Sequence, residues 1–234
     1  RIKKEDCLDL PPKIYTKRIV SLTEEQEKLY EDLKLKAYTN LQGDHMTVSN
    51  VIVEIIRLHQ ITSGFFKGES GIITKLENNK MKTLFEILEE SDQKTIIWAN
   101  WIQNIEDISK EIANTYGPES IVNFYGAVNS ENRSKAIKEF QNNPKCRFFV
   151  ANPSTGGYGL TLTAATLVIY YSNSFNAEHR LQSEERAHRI GQTQKVTYVD
   201  LITEGTVDEK IVKALKTKFR LSAATLGEVV RTWL

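Results

Sequence analysis

The sequence predicts an open α/β domain, layered helix–sheet–helix, behind an N-terminal helical segment. Three observations carry this. Short continuous apolar runs recur after Asn78: TIIWA at 95–99, IVNFY at 121–125, CRFFVA at 146–151, TLVIYY at 166–171 and VTYVDLI at 196–202. Runs of that length, without polar alternation, are typical of parallel strands covered on both faces. Helical periods fill the intervals between them, and helical spacing dominates before Asn78. The chain is also large enough: 234 residues, 40% hydrophobic and 26% charged, suffice for a real core in one large domain or in one with a substantial insertion.

Taken in order, LPPK at Leu10 to Lys13 is an extended leading segment, because each proline disfavours helix in the residue before it. LTEEQEKLYEDLKLKA has Thr23 and Gln26 at capping-box spacing, with Leu22, Leu29 and Leu33 as an apolar stripe and Tyr30 beside it. MTVSNVIVEIIRLHQIT offers Val48, Val51, Ile52, Ile55, Ile56 and Leu58 as a broad buried face. SENRSKAIKEFQ starts at Ser130 as an N-cap and turns Ile137 and Phe140 to one side. TVDEKIVKAL has Thr206 and Glu209 as a second capping box, with Val207, Ile211, Val212 and Leu215 inward. Asp208 and Glu209 read there as first-turn charges that complement the helix dipole. LSAATLGEVVRTWL reads as further helix. The expected organisation is a leading segment and helical insertion over 1–77, the α/β lobe over 78–220, and a helical extension over 221–234. The chain begins with arginine rather than methionine and is expected to be cut from something longer.

Composition narrows the function classes. A formal net charge of +1 announces no general nucleic-acid binder, so any phosphate-binding surface must be local. Cys7 and Cys146 match no metal spacing and read as reduced thiols of a cytosolic or nuclear-type compartment. No run is long enough to span a bilayer and no signal peptide is visible, so the expectation is an intracellular protein, not a secreted one, with no membrane partner. His45, His59, His179 and His188 lack metal-ligand company and read as surface or cap residues; Trp98 and Trp101, at a strand end, read as core. No G-x-x-x-x-G-K-[ST] occurs, nor an acidic pair after a buried strand that would hold magnesium, so no metal site is expected.

Two stretches carry chemistry. In QSEERAHRIGQ, at 182–192, Gln182, Arg186 and Arg189 follow i, i+4, i+7 spacing, which puts them on one helical face, with Gly191 as the stop. Two planar guanidiniums on a fixed face suit a multi-oxygen anion such as a polyphosphate. The competing reading is a solvated helix face with internal pairs to Glu184 and Glu185. In NPSTGGYGLTL, at 152–162, Gly156, Gly157 and Gly159 permit close backbone approach, and Ser154, Thr155 and Thr161 supply hydroxyls. This loop suits the phosphates of a nucleic-acid backbone or a nucleotide. The competing reading is a tight strand-to-helix turn.

Together these stretches resemble the C-terminal motor lobe of Swi/Snf-type ATPases, the double-stranded-DNA translocases of helicase superfamily two. LPPKIYTKRIVSLTEEQEKLYEDL resembles that family's segment entering the second lobe, and VIVEIIRLHQITSGFF its helical insertion. KMKTLFEIL and KTIIWANW resemble the lead into motif four, and FYGAVNSENRSKAIKEFQ the element that follows it. The block from Gly156 through RAHRIGQ to VDEKI resembles motifs five and six with their trailing strand and helix. The resemblance implies a RecA-like lobe. It makes Arg186 and Arg189 arginine fingers for ATP held by an N-terminal RecA-like lobe, with Gln182 orienting that face. It brings Gly157 and Gly159 near the nucleotide sugar, and Ser154, Thr155 and Thr161 near DNA phosphates. ATP and Mg2+ would be held mainly by the other lobe, so this part alone is expected to be inactive. Localisation would follow the DNA: cytoplasm, nucleoid or infected host cytoplasm. Two positions depart from the family pattern. Asn152-Pro153-Ser154-Thr155 replaces a Ser-Thr-basic sequence, and Phe175-Asn176-Ala177 replaces Trp-Asn-Pro; both suggest a reduced bacterial or viral member. The alternative function is a stand-alone, non-catalytic DNA-binding or interaction module. A sugar-nucleotide transferase is disfavoured because it would not need the paired arginines.

Overall fold

A computed structural model of the chain describes residues 10–42, 48–68, 70–126 and 130–225. Cys7, His45 and residues 226–234 lie outside that description, as do the side chains of Val48, Ser130 and residues 40–42, 156–158 and 220–225. Among the described residues six strands form one parallel sheet: β1 (Lys13–Val20), β4 (Thr95–Trp98), β5 (Ile121–Phe124), β6 (Phe148–Ala151), β7 (Leu167–Tyr170) and β8 (Val196–Thr203), in the order β1-β8-β7-β4-β6-β5. The five apolar runs are all strands, as expected. β1 is one that the sequence left as a leading segment: its ladder runs from Lys13 opposite Val196 to Val20 opposite Thr203. It is an edge strand with Thr16, Lys17, Arg18 and Ile19 exposed, so it lacks the continuous apolar run that marks its neighbours. Charges on such an edge also discourage stray pairing.

Period-two alternation along the buried strands supplies two cores. On one face Ile97, Phe148, Val150, Leu167, Ile169, Val199 and Leu201 pack under α3 (Asn79–Glu89) and α4 (Ile102–Tyr116). On the other, Ile96, Trp98, Phe149, Ala151, Val168, Tyr170 and Tyr198 meet Phe140 of α5 (Ser130–Asn142) and Ala187 of α6 (Ala177–Ala187). Trp98 is core, as its place in the sequence predicts.

A third cluster docks the helical insertion, α1 (Glu24–Gln42) and α2 (Val48–Thr62), on α7 (Val207–Thr225) and the end of β8. The Thr23–Gln26 capping box forms as expected, and the Gln26 amide goes further, donating to the Ile61 carbonyl at 2.6 Å. The buried face of α2 differs from expectation. Ile55 and Leu58 pack against the cluster as expected, but Ile52 is exposed, and the helix is buried most fully over its C-terminal turn, from His59 through Thr62. Between α2 and α3 a short antiparallel hairpin, β2 (Phe65–Lys67) with β3 (Ile73–Lys75), reverses the chain. Gly64, at φ +91°, lies so close beneath Asn78 that a Cβ there would sit 2.1 Å from the Asn78 amide nitrogen.

One sequence reading is extended here and another corrected. Asp208 is a first-turn charge of α7, as expected, but it does more than complement the dipole. It is buried, ion-paired with Lys80, and accepts from Thr62 Oγ1 at 2.8 Å and from the Thr203 amide at 3.1 Å. His59 is not a surface or cap histidine. It lies buried, with Nε2 3.9 Å from Asp208 and its ring between Trp101 and Phe175. Both follow from the insertion folding down on α7, a tertiary contact with no local signature.

Candidate functional site

Parallel α/β sheets place their sites beyond the carboxyl ends of the strands. Here those ends are stitched by side chains. The Asn100 amide donates to Ser172 Oγ at 2.9 Å, and Asn152 Nδ2 donates to the Asn100 carbonyl at 2.8 Å. Asn152 also builds the next turn. Its Oδ1 accepts from the amide of Ser154 at 2.8 Å and from the Ser154 hydroxyl at 2.6 Å, capping a short 3-10 turn, Pro153–Tyr158. Thr155 is buried, with its hydroxyl donating to the Asn152 carbonyl at 2.5 Å. Ser154 and Thr161 are exposed. Gly157 lies within the turn, and Gly159 ends it in the left-handed region at φ +66°, with open space where a side chain would stand.

This loop is bonded directly to the arginine stretch. Arg189 Nη1 donates to the carbonyls of Gly159 at 3.0 Å and Leu160 at 3.2 Å, and the Leu162 amide donates to the Arg186 carbonyl at 2.9 Å. Gln192 Nε2 bridges the carbonyls of Thr163 at 3.0 Å, Ala165 at 3.0 Å and Ala187 at 3.2 Å. The two stretches are one unit.

The helical geometry read from QSEERAHRIGQ is corrected in two respects. α6 ends at Ala187, with His188 as its C-cap at φ −93° and ψ 78°, so Gly191 is not the stop and Arg189 is not on the helix. Arg189 projects from the following turn, yet its charge still bears on Arg186. Burial lowers the Arg186 pKa first, the neighbouring Arg189 lowers it further, and Glu185 opposes both. Arg186 Nε is buried with no hydrogen-bond partner among the described residues. Gln182 donates to Glu178 at 2.9 Å on the outer surface. Glu184 is buried and so belongs to no solvated face, whereas the Glu185 charge does bear on Arg186.

What holds α6 in place is a buried charge network that the sequence reading missed. Arg180 donates through Nε to Glu184 at 2.8 Å, through Nη1 to Asn173 at 2.7 Å and Asp200 at 2.5 Å, and through Nη2 to Asp200 at 3.0 Å. Its guanidinium stacks 3.5 Å from the Tyr170 ring centroid. Glu184 also accepts from Tyr15 at 2.7 Å and Lys13 at 3.3 Å, both on β1. Burial alone would discharge both groups. Asp200 overcomes it and raises the Arg180 pKa, while Arg180 and Lys13 overcome it and lower that of Glu184. At the start of α6, Asn176 caps the helix by accepting from the Glu178 amide at 2.8 Å, and the Asn176 amide donates to Ser174 Oγ at 3.1 Å. The turn is thus held without the proline that Ala177 replaces.

The donor set does not fit a magnesium ion. Asp200 and Asp208 are both buried in ion pairs, and no group of three or more His, Cys, Asp or Glu that could hold a metal occurs among the described residues. No helix of the described residues is long and apolar enough to cross a membrane.

Comparison with known proteins gives the arrangement its context. Residues 79–191 match the family described as helicase conserved C-terminal domain. An uncharacterized ATP-dependent helicase of Mycoplasma pneumoniae is 30% identical over 234 residues, covering 98% of this chain and 22% of that protein. The crystal structure of the C-terminal part of the Fun30 ATPase domain superposes with a TM-score of 0.74 at 20% identity, over 88% of this chain and 90% of that one. The Sulfolobus solfataricus SWI2/SNF2 ATPase core in complex with dsDNA gives a TM-score of 0.74 at 28% identity, over 94% of this chain and 47% of that one. The chain spans only 16% to 22% of the length of the first curated relatives it matches.

Proposed function

The chain is a C-terminal RecA-like lobe of the Swi/Snf-type helicase superfamily two ATPases, and from that premise we propose that it is half of an ATP-driven double-stranded-DNA translocase. Arg186 and Arg189 are its arginine fingers, directed at ATP held by an N-terminal RecA-like lobe of the same protein. The observation that carries this reading is the arginine pair. The Arg189 charge bears on Arg186, and Arg186 has a buried Nε without a hydrogen-bond partner among the described residues. Like charges held together in that way are stabilised by an arriving anion. Charge that spreads over the oxygens of a transferring phosphoryl group is such an anion.

The remaining residues take roles consistent with their placement. Gly159 leaves room for a nucleotide sugar beside Gly157, and Gln182 supports the outer face of α6. Thr161 presents an exposed hydroxyl to DNA phosphates, Ser154 joins it once its hydroxyl turns from Asn152 Oδ1 to a phosphate oxygen, and Thr155 acts through the turn that its hydroxyl fixes. Magnesium belongs with the other lobe, since no group of three or more His, Cys, Asp or Glu among the described residues here could hold it. When bound there, it supplies charge neutralisation at the phosphates.

The test is ATP hydrolysis by the complete protein with and without double-stranded DNA. Arg186→Ala and Arg189→Ala should each lower DNA-stimulated kcat by about 10³-fold or more, with DNA binding retained. Arg→Lys at either position should fail too, because an ammonium cannot reproduce the planar fork. Normal hydrolysis by these variants would place the fingers elsewhere. A complete protein without any DNA-stimulated turnover would favour the non-catalytic binding module.

A further inference from the structure

We infer that His188 is a positioning residue, fastening the chain that enters the lobe to the turn that carries Arg189. The His188 Nε2 atom lies 2.7 Å from the Pro11 carbonyl oxygen. A carbonyl only accepts, so Nε2 carries the proton and donates. Pro11 and Pro12 have no N–H, and the β1–β8 ladder begins only at Lys13, so this bond lies outside the sheet. It is reinforced one turn back along α6, where Lys13 and Tyr15 both reach Glu184. The entering chain therefore grips α6 at two levels. The residues following the second grip are the arginine turn, whose own bonds run to Gly159 and Leu160.

Geometry makes the tether stiff. His188 is the C-cap residue, so its backbone sets the direction in which the chain leaves α6 toward Arg189. The two prolines have fixed φ, so a displacement of the entering segment is passed on at Pro11 rather than absorbed by rotation. In a two-lobe motor, the segment entering the second lobe moves whenever the lobes change their separation. The His188 bond converts that movement into a shift of the Arg189 turn. This inference rests on the motor reading above.

The experiment compares His188→Ala with His188→Gln in the complete protein; the glutamine Nε2 donates at a similar reach. His188→Ala should lower DNA-stimulated kcat about tenfold, the kinetic equivalent of one hydrogen bond, with the KM for ATP unchanged. Its melting temperature should stay within about 2 °C of wild type. Amide exchange at residues 13–15 and 189–192 should quicken. His188→Gln should recover most of the rate and the protection. Unchanged kcat in His188→Ala would overturn the inference. So would a loss that tracks a lower melting temperature and is not rescued by glutamine. If the wild-type protein shows no DNA-stimulated turnover, the motor reading falls and the positioning role with it. Exchange at residues 13–15 would then decide separately whether the tether exists.

Discussion

His59 sits between Trp101 and Phe175, each with its ring centroid 5.5 Å away, and burial pushes its pKa down to about 4. The Asp208 carboxylate pulls the other way, and Lys80 adds to the lowering. The unfolded chain takes up this proton near pH 6.5, while the folded chain resists until about pH 4. Between those values the unfolded state binds more protons, so stability falls as pH falls, by roughly 3 kcal/mol across the whole window. Asp208 acts lower: its pKa is depressed, so its contribution is lost only below the ordinary carboxylate range. Melting temperatures of the isolated lobe should therefore drop steadily from pH 6.5 to 4. His59→Phe, which keeps a ring in the cluster, should flatten that slope, and a wild-type profile already flat would refute the assignment. Arg189 illustrates a different balance. Its bonds to two loop carbonyls predict that Arg189→Ala costs about 1 kcal/mol in urea melts of the isolated lobe, whereas Arg186→Ala, whose Nε makes none, costs close to nothing. A loss of several kcal/mol at Arg186 would make it structural.

At the scale of the element, α6 is fixed to β8 by charge rather than by apolar packing alone. Asp200→Ala would leave the Arg180 guanidinium buried with its principal counterion gone, which costs about 3–5 kcal/mol and should be read by urea denaturation of the lobe. A change below about 1 kcal/mol would mean that water or Glu184 compensates fully. Sequence patterns reveal some elements and hide others for the same physical reason. β4 to β8 announce themselves because both faces are covered, so every position in the central strands β4, β6 and β7 is buried, and all but Thr95 are apolar. β1 is hidden because one edge is open and four consecutive residues meet solvent. The end of α6 was misplaced because its C-cap is a histidine that borrows a bond from Pro11, while the glycine four residues after Ala187 serves a later turn at φ +99°. Arg180 and Glu184 look like an exposed i, i+4 pair, and only tertiary packing turns them inward. A signal was nonetheless present: a carboxylate in the middle of VTYVDLI requires a buried cation somewhere. Helical spacing put Arg186 on α6 correctly but misplaced Arg189, which stands on the turn after the helix.

For the molecule as a whole, the isolated lobe should hydrolyse essentially no ATP, because phosphoryl transfer needs its parts positioned together and the described residues hold no carboxylate group suited to magnesium. Asp200 and Asp208 are in buried ion pairs, and no cluster of three or more ligating residues occurs among the described residues. Turnover by the purified lobe that persists in Arg186→Ala and Arg189→Ala, with contaminants excluded, would contradict this. DNA binding by the lobe should be weak and indifferent to sequence, since the expected contacts are to phosphates. With a net charge of +1, few phosphates can be neutralised, so affinity should fall with salt along a shallow slope. A steep slope in a salt titration would reveal a larger basic surface than this chain carries. The strand order has a consequence of another kind. β1 is the first strand of the sheet to be synthesised, and its ladder partner is β8, the last. A growing chain therefore holds Lys13–Val20 unmatched until Thr203 has left the ribosome. At about 5–20 residues per second that wait is roughly ten to forty seconds. The polar row Thr16, Lys17, Arg18 keeps the waiting strand soluble, and the sheet is completed by joining the oldest strand to the newest.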